Sequence, residues 1–398
     1  MRVNVMAVCL CVGAALCAGA PVRGQDNFAA HQEFAVGDGP QGIATADFNG
    51  DGRPDVIVAN ERADSLSVLY AQPDGSLGGR VNYPMPGPVN CVSVGDLNND
   101  GRPDIAVSLK DQSSVSVLYA QPAGGFGGLQ TYTVGNTPRN SVVGDFNRDG
   151  RNDLAVANAG GASVTVLYGQ EAGGLGGALD FPVRPPGDID TADLNHDGVL
   201  DLVTVSWDSL YNGQNVNVLP GNADGTFGDY DSYYANRESH GVAIADLNCD
   251  GHPDIAAVGQ TSVSNDKVYV HYNRGDGVFE GMEGYWVGDV PMDVVAGDFN
   301  RDGRADLAVL NNADYDVTVL YGLAEGGFGN AWDYPVANYP WDLVAADFDG
   351  NGAIDLAVTS YWGDSVSVLY NTLPEPGTLA LVAVGLSAMF MRRRRLSS

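Results

Sequence analysis

Basic residues are scarce. The 398-residue chain holds 20 Lys and Arg against 50 Asp and Glu, a formal charge of −30, so it lacks the basic surface that DNA or RNA binding demands. Cysteine is scarcer still. Cys9, Cys11 and Cys17 fall in an N-terminal apolar stretch, and only Cys91 and Cys249 lie elsewhere. Neither has CxxC spacing, which excludes a zinc knuckle and a disulfide framework. Two free structural thiols are expected, of a residue type that is commonly buried. Catalytic signatures are missing as well: there is no GxSxG, HExxH or P-loop. The five histidines are His31, His196, His240, His252 and His271, and three sit in or beside repeat positions that other copies fill with Asn, Arg or Pro. No long apolar periodicity of 3.6 residues appears, which argues against a helical bundle. What is present is 44% apolar residues, enough for a core, together with 53 Gly and 20 Pro, a turn-rich composition.

One nonapeptide recurs seven times. It first reads Asp47-Phe48-Asn49-Gly50-Asp51-Gly52-Arg53-Pro54-Asp55, and later copies start at Asp96, Asp145, Asp193, Asp246, Asp298 and Asp347. An apolar strand leads into each copy, as in 42–46, and another leaves it, as in 55–59. An alternating strand follows (65–70, echoed at 114–119), then a Gly-rich turn such as 124–128, then a fourth strand such as 130–134. Short strands between Gly, Pro, Asn and Asp clusters mark an all-β chain. Four strands in roughly 50 residues is the period of a propeller blade. The expected fold is a seven-bladed β-propeller of four-stranded antiparallel blades. The last copy stops after its third strand, while 32–37 looks like an orphan fourth strand, so the N-terminal strand is expected to complete the last blade and remove an open edge.

These residues resemble the FG-GAP and VCBS repeats of integrin α-chain propellers and bacterial surface proteins. Phe126-Gly127, Phe227-Gly228 and Phe328-Gly329 match the FG half, and Gly39-Pro40 and Gly87-Pro88 stand for the drifted GAP half. The resemblance implies the fold strongly and the function weakly, since propellers host many activities.

Oxygen ligands at alternate positions suit a hard cation. Positions 1, 3, 5 and 9 offer Asp47, Asn49, Asp51 and Asp55; Asp96, Asn98, Asp100 and Asp104; Asp145, Asn147, Asp149 and Asp153; Asp193, Asn195, Asp197 and Asp201; Asp246, Asn248, Asp250 and Asp254; and Asp298, Asn300, Asp302 and Asp306. The seventh copy swaps Asn and Asp, giving Asp347, Asp349, Asn351 and Asp355. Glycine at position 6 allows the sharp turn, and a backbone carbonyl at position 7 would leave that side chain free to vary. An EF-hand is excluded, because position 12 is Val58 inside a strand. Up to seven Ca²⁺ are expected, with magnesium disfavoured by its strict octahedral geometry. Metal-free acidic turns would crowd three carboxylates seven times over without compensation. Loop four, with Val199-Leu200, and loop five, with Cys249 among its ligands, depart most and are expected to bind less tightly.

The two ends read as addresses. Residues 1–24 have the positive start, apolar run and small-residue end of a secretory signal peptide, with cleavage expected before Gln25. At the other end, Pro374-Glu375-Pro376 leads into a short apolar stretch, and Arg392 to Arg395 follow. Fifteen residues from Gly377 to Met391 would make a helix of about 22 Å, against about 30 Å of hydrocarbon. The segment 373–398 resembles the PEP-CTERM sorting signal of Gram-negative bacteria, which implies an exosortase-type processing enzyme and only transient membrane contact. Between the ends, 25–372 carries 14 basic against 49 acidic residues.

The chain is therefore expected to be an exported envelope or extracellular adhesion and interaction module, with a protein or polysaccharide ligand and no nucleic acid. A lectin-like propeller is the alternative reading, and a polysaccharide lyase or hydrolase the remaining one. All five tryptophans lie in the second half. Trp207, Trp341 and Trp362, with Tyr211, Tyr315, Tyr339 and Tyr361, fall in segments expected on the rim opposite the acidic loops. Of these, Trp207, Tyr339, Trp341, Tyr361 and Trp362 are the candidate ligand-binding residues, since exposed aromatics anchor interfaces and stack on sugars. Packing between blades is the plain alternative.

Overall fold

The second and third strands of each repeat are nearly continuous apolar runs, and such runs need cover on both faces. Asp55–Asn60 and Ser65–Ala71 in the first blade, and Asp104–Leu109 and Ser114–Ala120 in the second, are buried almost throughout. A computed structural model describes residues 27–207, 215–235, 238–260 and 266–373. It forms seven four-stranded antiparallel sheets, and among the described residues there is no helix. Each sheet is one blade. Its first strand, such as Pro40–Ala46, lines the axis and contacts the first strands of both neighbours. Its fourth, such as Leu77–Pro84, is mostly exposed at the perimeter. Seven apolar clusters fill the seams, each drawing on adjacent blades. The signal peptide 1–24 with its three cysteines, Tyr211 and the apolar tail lie outside the described residues.

The aromatic at position 2 of the acidic motif explains how blades lock. Phe48 meets Phe126 of the next blade edge-to-face at 5.3 Å, and Phe146 meets Phe227 at 5.8 Å. The FG phenylalanine is thus a plug for the preceding blade. It belongs to the fourth strand itself: Phe126–Thr133 starts within the expected Gly-rich turn, and a register shift between Val117 and Tyr119 absorbs the glycines.

Ring closure follows the expected route. Gln32–Ala35 pairs antiparallel with Ser365–Leu369, Phe34 lying opposite Val366. The seventh sheet is therefore built from both ends of the domain, and the third strand of the last blade is no longer its open edge. The structure adds what the repeat pattern did not show. Phe28 bridges to Asn371, packs edge-on against Phe299 (6.1 Å) and Tyr334 (5.1 Å), and is 5% exposed. It occupies the place of the FG phenylalanine that the truncated last repeat lacks.

Replacing Phe28 by Ala should cost about 3–5 kcal/mol, the usual range for a buried Phe→Ala change. The exposed Leu129→Ala should stay within about 0.5 kcal/mol. Chemical denaturation of both variants checks this; equal effects would mean that Phe28 does not hold the closure.

Candidate metal loops and the opposite rim

The first and third turns of every blade lie on one face, so the seven acidic loops share a rim. Within a loop, side-chain oxygens first organise the backbone. Asp47 accepts the amides of Asp51 (3.1 Å) and Gly52 (2.8 Å), Asn49 accepts Asp51 (2.8 Å), and Asp51 accepts Arg53 (3.0 Å). The same bonds recur at positions 1, 3 and 5 of loops two to six. Glycine at position 6 is required: its φ runs from 80° to 89° in all seven copies, a region side chains avoid. Position 4 is also left-handed, and five copies place Asn99, Arg148, His196, Cys249 and Arg301 there. That geometry turns position 4 outward, so Cys249 is exposed, contrary to the expectation of a buried thiol; Cys91 is half-buried.

The aspartate at position 9 has a second duty. Asp55 is fully buried, and its two oxygens accept the amides of Phe48 (3.0 Å) and Ala71 (2.8 Å). Asp104, Asp153, Asp201, Asp254, Asp306 and Asp355 each repeat this pair of bonds. The carboxylate ties its own loop to the end of the third strand. Burial pushes its pKa up despite these donors, to about 6 at Asp55, Asp153 and Asp201, about 7 at Asp104, Asp254 and Asp355, and about 8 at Asp306.

The loops differ at position 7. Arg53, Arg102 and Arg151 place a guanidinium 2.5 Å from Asp51, Asp100 and Asp149, and Arg304 pairs with Asp302 in the same way. Loops four, five and seven carry Val199, His252 and Ala353 instead. His252 meets His196 of the neighbouring loop at 2.8 Å. Among the described residues, only Asp347, Asp349 and Asp355 bring three carboxylates within 4.8 Å of one another. Asp347 Oδ1 is buried without a hydrogen-bond partner, and desolvation raises its pKa. An all-oxygen donor set with an unsatisfied carboxylate oxygen fits a hard cation.

The opposite rim gathers four of the five aromatic candidates over blade seven. Trp341 lies 5.9 Å from Tyr361, which meets Trp362 edge-on at 5.0 Å. Arg62 sits over Trp362 (4.4 Å) and Tyr361 (5.1 Å), held by Asp364. Tyr339 meets Tyr315 in a tilted ring contact at 5.3 Å and shares a cavity of about 390 Å³ with Trp362, His31 and Glu33. Trp362 is 59% and Tyr339 46% exposed, whereas Trp341 and Tyr361 are half-buried. Trp207 stands apart: it stacks under Arg139 (4.5 Å) and, with Trp341, flanks the axial cavity of about 270 Å³. Trp332 packs against the core and Trp286 stands at the perimeter under Lys267.

That axial cavity holds a group the repeat reading missed. One position of each first strand, five before the motif, rings the axis, and in blades four, six and seven it is Asp188, Asp293 and Asp342. Their oxygens accept amides of neighbouring blades: Asp188 from Val242 (3.0 Å), Asp293 from Leu343 (3.0 Å) and Asp342 from Ile43 (2.9 Å). Burial raises all three pKa values, and Asp293 also shares a hydrogen bond with Asp342. They staple blade to blade, including blade seven to blade one. The signal was present as a register position in the repeats.

Comparison with known proteins agrees with this geometry. The family model described as FG-GAP-like repeat matches 47–107, 96–156, 145–204, 193–257, 258–309 and 298–358. The PEP-CTERM protein-sorting motif matches 372–395. Crystal structures of BBS1N in complex with ARL6DN, soaked with lead or with mercury, superpose with a TM-score of 0.60 in both cases. They are 12% and 13% identical and cover 87% of this chain and 98% of theirs. At that identity the likeness is one of fold. None of the curated proteins compared matches the chain.

The raised position-9 carboxylates set the metal-free pH dependence. Their folded pKa values exceed the unfolded value, so the native state holds more protons between about pH 4 and 8, and stability falls as pH rises through that window. In excess EGTA the melting temperature should therefore be higher at pH 6 than at pH 8. A higher value at pH 8 would contradict the burial-driven shift.

Proposed function

The chain belongs to the FG-GAP-like repeat family, and from that premise we propose that it is a calcium-stabilised binding propeller displayed at the cell envelope. The PEP-CTERM motif implies export to the envelope and handling by an exosortase-type system. It begins at residue 372, just after the last strand of blade seven, Ser365–Leu369, so the strands of all seven blades precede the sorting signal. The observation that carries the calcium reading is that Asp347, Asp349 and Asp355 bring carboxylate oxygens within 4.8 Å of one another, with Asp347 Oδ1 unsatisfied. These residues would hold the ion, which supplies positive charge to a domain with a large acidic excess. The other loops offer the same donor types at the same four positions, with Asn at position 3 and Asp at position 5 exchanged relative to this copy.

The domain's work is binding rather than catalysis. The axial aspartates are committed to amides of neighbouring blades, which is a structural duty. The opposite rim presents Trp362 and Tyr339, with Trp341 and Tyr361 behind them, in an arrangement pre-set by Arg62. Rigid exposed aromatics are the residues that dominate protein interfaces, so a protein ligand on the face away from the acidic loops is the first reading. Polysaccharide is the second, favoured by the aromatic-walled cavity with polar His31, Glu33 and Asn338. The fold neighbours were themselves crystallised as a complex, which is in keeping with a binding role.

Two measurements test this. Millimolar calcium should raise the melting temperature relative to excess EGTA, because each site filled at a hundredfold excess over Kd contributes about 2.7 kcal/mol; coincident melts would remove the calcium reading. The double variant Trp341→Ala, Trp362→Ala should melt normally in calcium and lose affinity for an envelope ligand found by screening proteins and polysaccharides. Unaltered affinity would place the binding surface elsewhere.

A further inference from the structure

The seven loops are unequal, and the inequality is organised around the ring closure. We propose that Asp347, Asp349 and Asp355 form the tightest calcium site of the ring, and that occupancy of this loop fastens the N-terminal segment onto the last blade. The inference rests on the calcium reading above and goes beyond it in naming one site and one consequence.

The first argument is competition. In loops one, two, three and six the position-5 carboxylate already has a cation of its own chain, the position-7 arginine. A divalent ion must displace that guanidinium before it gains the carboxylate. Loop seven has Ala353 at position 7 and Asn351 at position 5, and its second carboxylate, Asp349, stands at position 3 beyond the reach of such an arginine. Its three carboxylates come within 4.8 Å of one another with no position-7 arginine among them, and the neighbouring guanidinium, Arg301 of loop six, donates to the Asn351 carbonyl (2.9 Å).

The second argument is unsatisfied polarity. Tyr370 is 8% exposed and its hydroxyl has no hydrogen-bond partner. In blade two the corresponding Tyr119 hydroxyl meets Tyr132 at 2.9 Å. Blade seven borrows its fourth strand from the N-terminus, and there Phe34 stands where blade two has Tyr132. The orphaned phenol lies within the field of Asp355 and Asp349. Blade seven thus holds two buried polar atoms with no partner, Tyr370 Oη and Asp347 Oδ1. Such groups are costly and rare, and an ion held by the three carboxylates would satisfy the Asp347 oxygen.

The third argument is connection. Asp355 Oδ1 accepts the amide of Asn371 (2.7 Å), and Asn351 Nδ2 donates to the Asn371 carbonyl (2.8 Å). Asn371 is the residue that bridges to Phe28, and the next amide, Thr372, donates to Asn27 (2.7 Å). Order in the loop therefore passes through one residue to the segment that closes the ring.

Hydrogen exchange and terbium titration of the full-length protein test the proposal, with terbium as a luminescent probe of calcium sites. Asp347→Asn should raise the calcium concentration that half-protects the amides of residues 28–35 by about tenfold or more. Asp145→Asn in loop three should shift it less than about twofold, since that loop packs against blade four, away from the closing segment. Arg304→Ala, which frees the loop-six carboxylate and keeps the closure intact, should add one site to the tight terbium class. An equal shift in the two Asp→Asn variants, protection independent of calcium, or no added site in Arg304→Ala would overturn the proposal while leaving calcium binding standing. A wild-type protein that binds neither calcium nor terbium would overturn both readings.

Discussion

One buried carboxylate per blade holds this structure together. The position-9 aspartate sits out of solvent and accepts two amides, one from its own loop and one from the end of the third strand. It therefore fixes the loop to the blade before any ion is considered. The remaining loop oxygens are then held at set positions by amide bonds, and the aromatic at position 2 is carried into the seam with the next blade. Loop geometry and blade packing are thus one feature. The cost is a set of desolvated carboxylates on a chain already rich in negative charge, and a cation on that rim relieves it.

The two rims divide the labour. Acidic loops and third turns occupy one face, where charge and backbone constraint dominate. The other face carries the aromatic cluster over blade seven and the mouth of the axial cavity. Arg62 of blade one lies over Tyr361 and Trp362 of blade seven, so the cluster spans the seam where the ring closes. Integrity of the closure and shape of the aromatic surface are therefore linked, and the acidic loop of that same blade is the one whose carboxylates lie closest together.

The fold was legible because its signal is repeated. Seven copies of one motif fixed the blade count, and the orphan strand 32–37 foretold the closure that Gln32–Ala35 makes with Ser365–Leu369. Phe28 was not legible, because a single phenylalanine ahead of the first strand carries no repeat signal. Its role shows only when it is seen filling the FG position of the last blade. The loop residues were found by spacing, but spacing does not separate a carboxylate that ties two backbone amides from one that is free to bind. Nor does it reveal that Arg53 and its counterparts fold back onto their own loops. The axial aspartates escaped notice since one ring position is shared among Gly42, Cys91, Asn140, Asp188, Gly241, Asp293 and Asp342. The repeat keeps the place and varies the residue.

The claim that the acidic rim is built for calcium is tested most directly by locating the ion. Crystals of the protein grown in millimolar calcium, with anomalous diffraction recorded at long wavelength, should show a peak bounded by Asp347, Asp349 and Asp355. Further peaks should appear in other loops whose position-7 arginine has swung away. Density maps with that position empty, and the Asp347 oxygen satisfied by protein or water alone, would contradict the account.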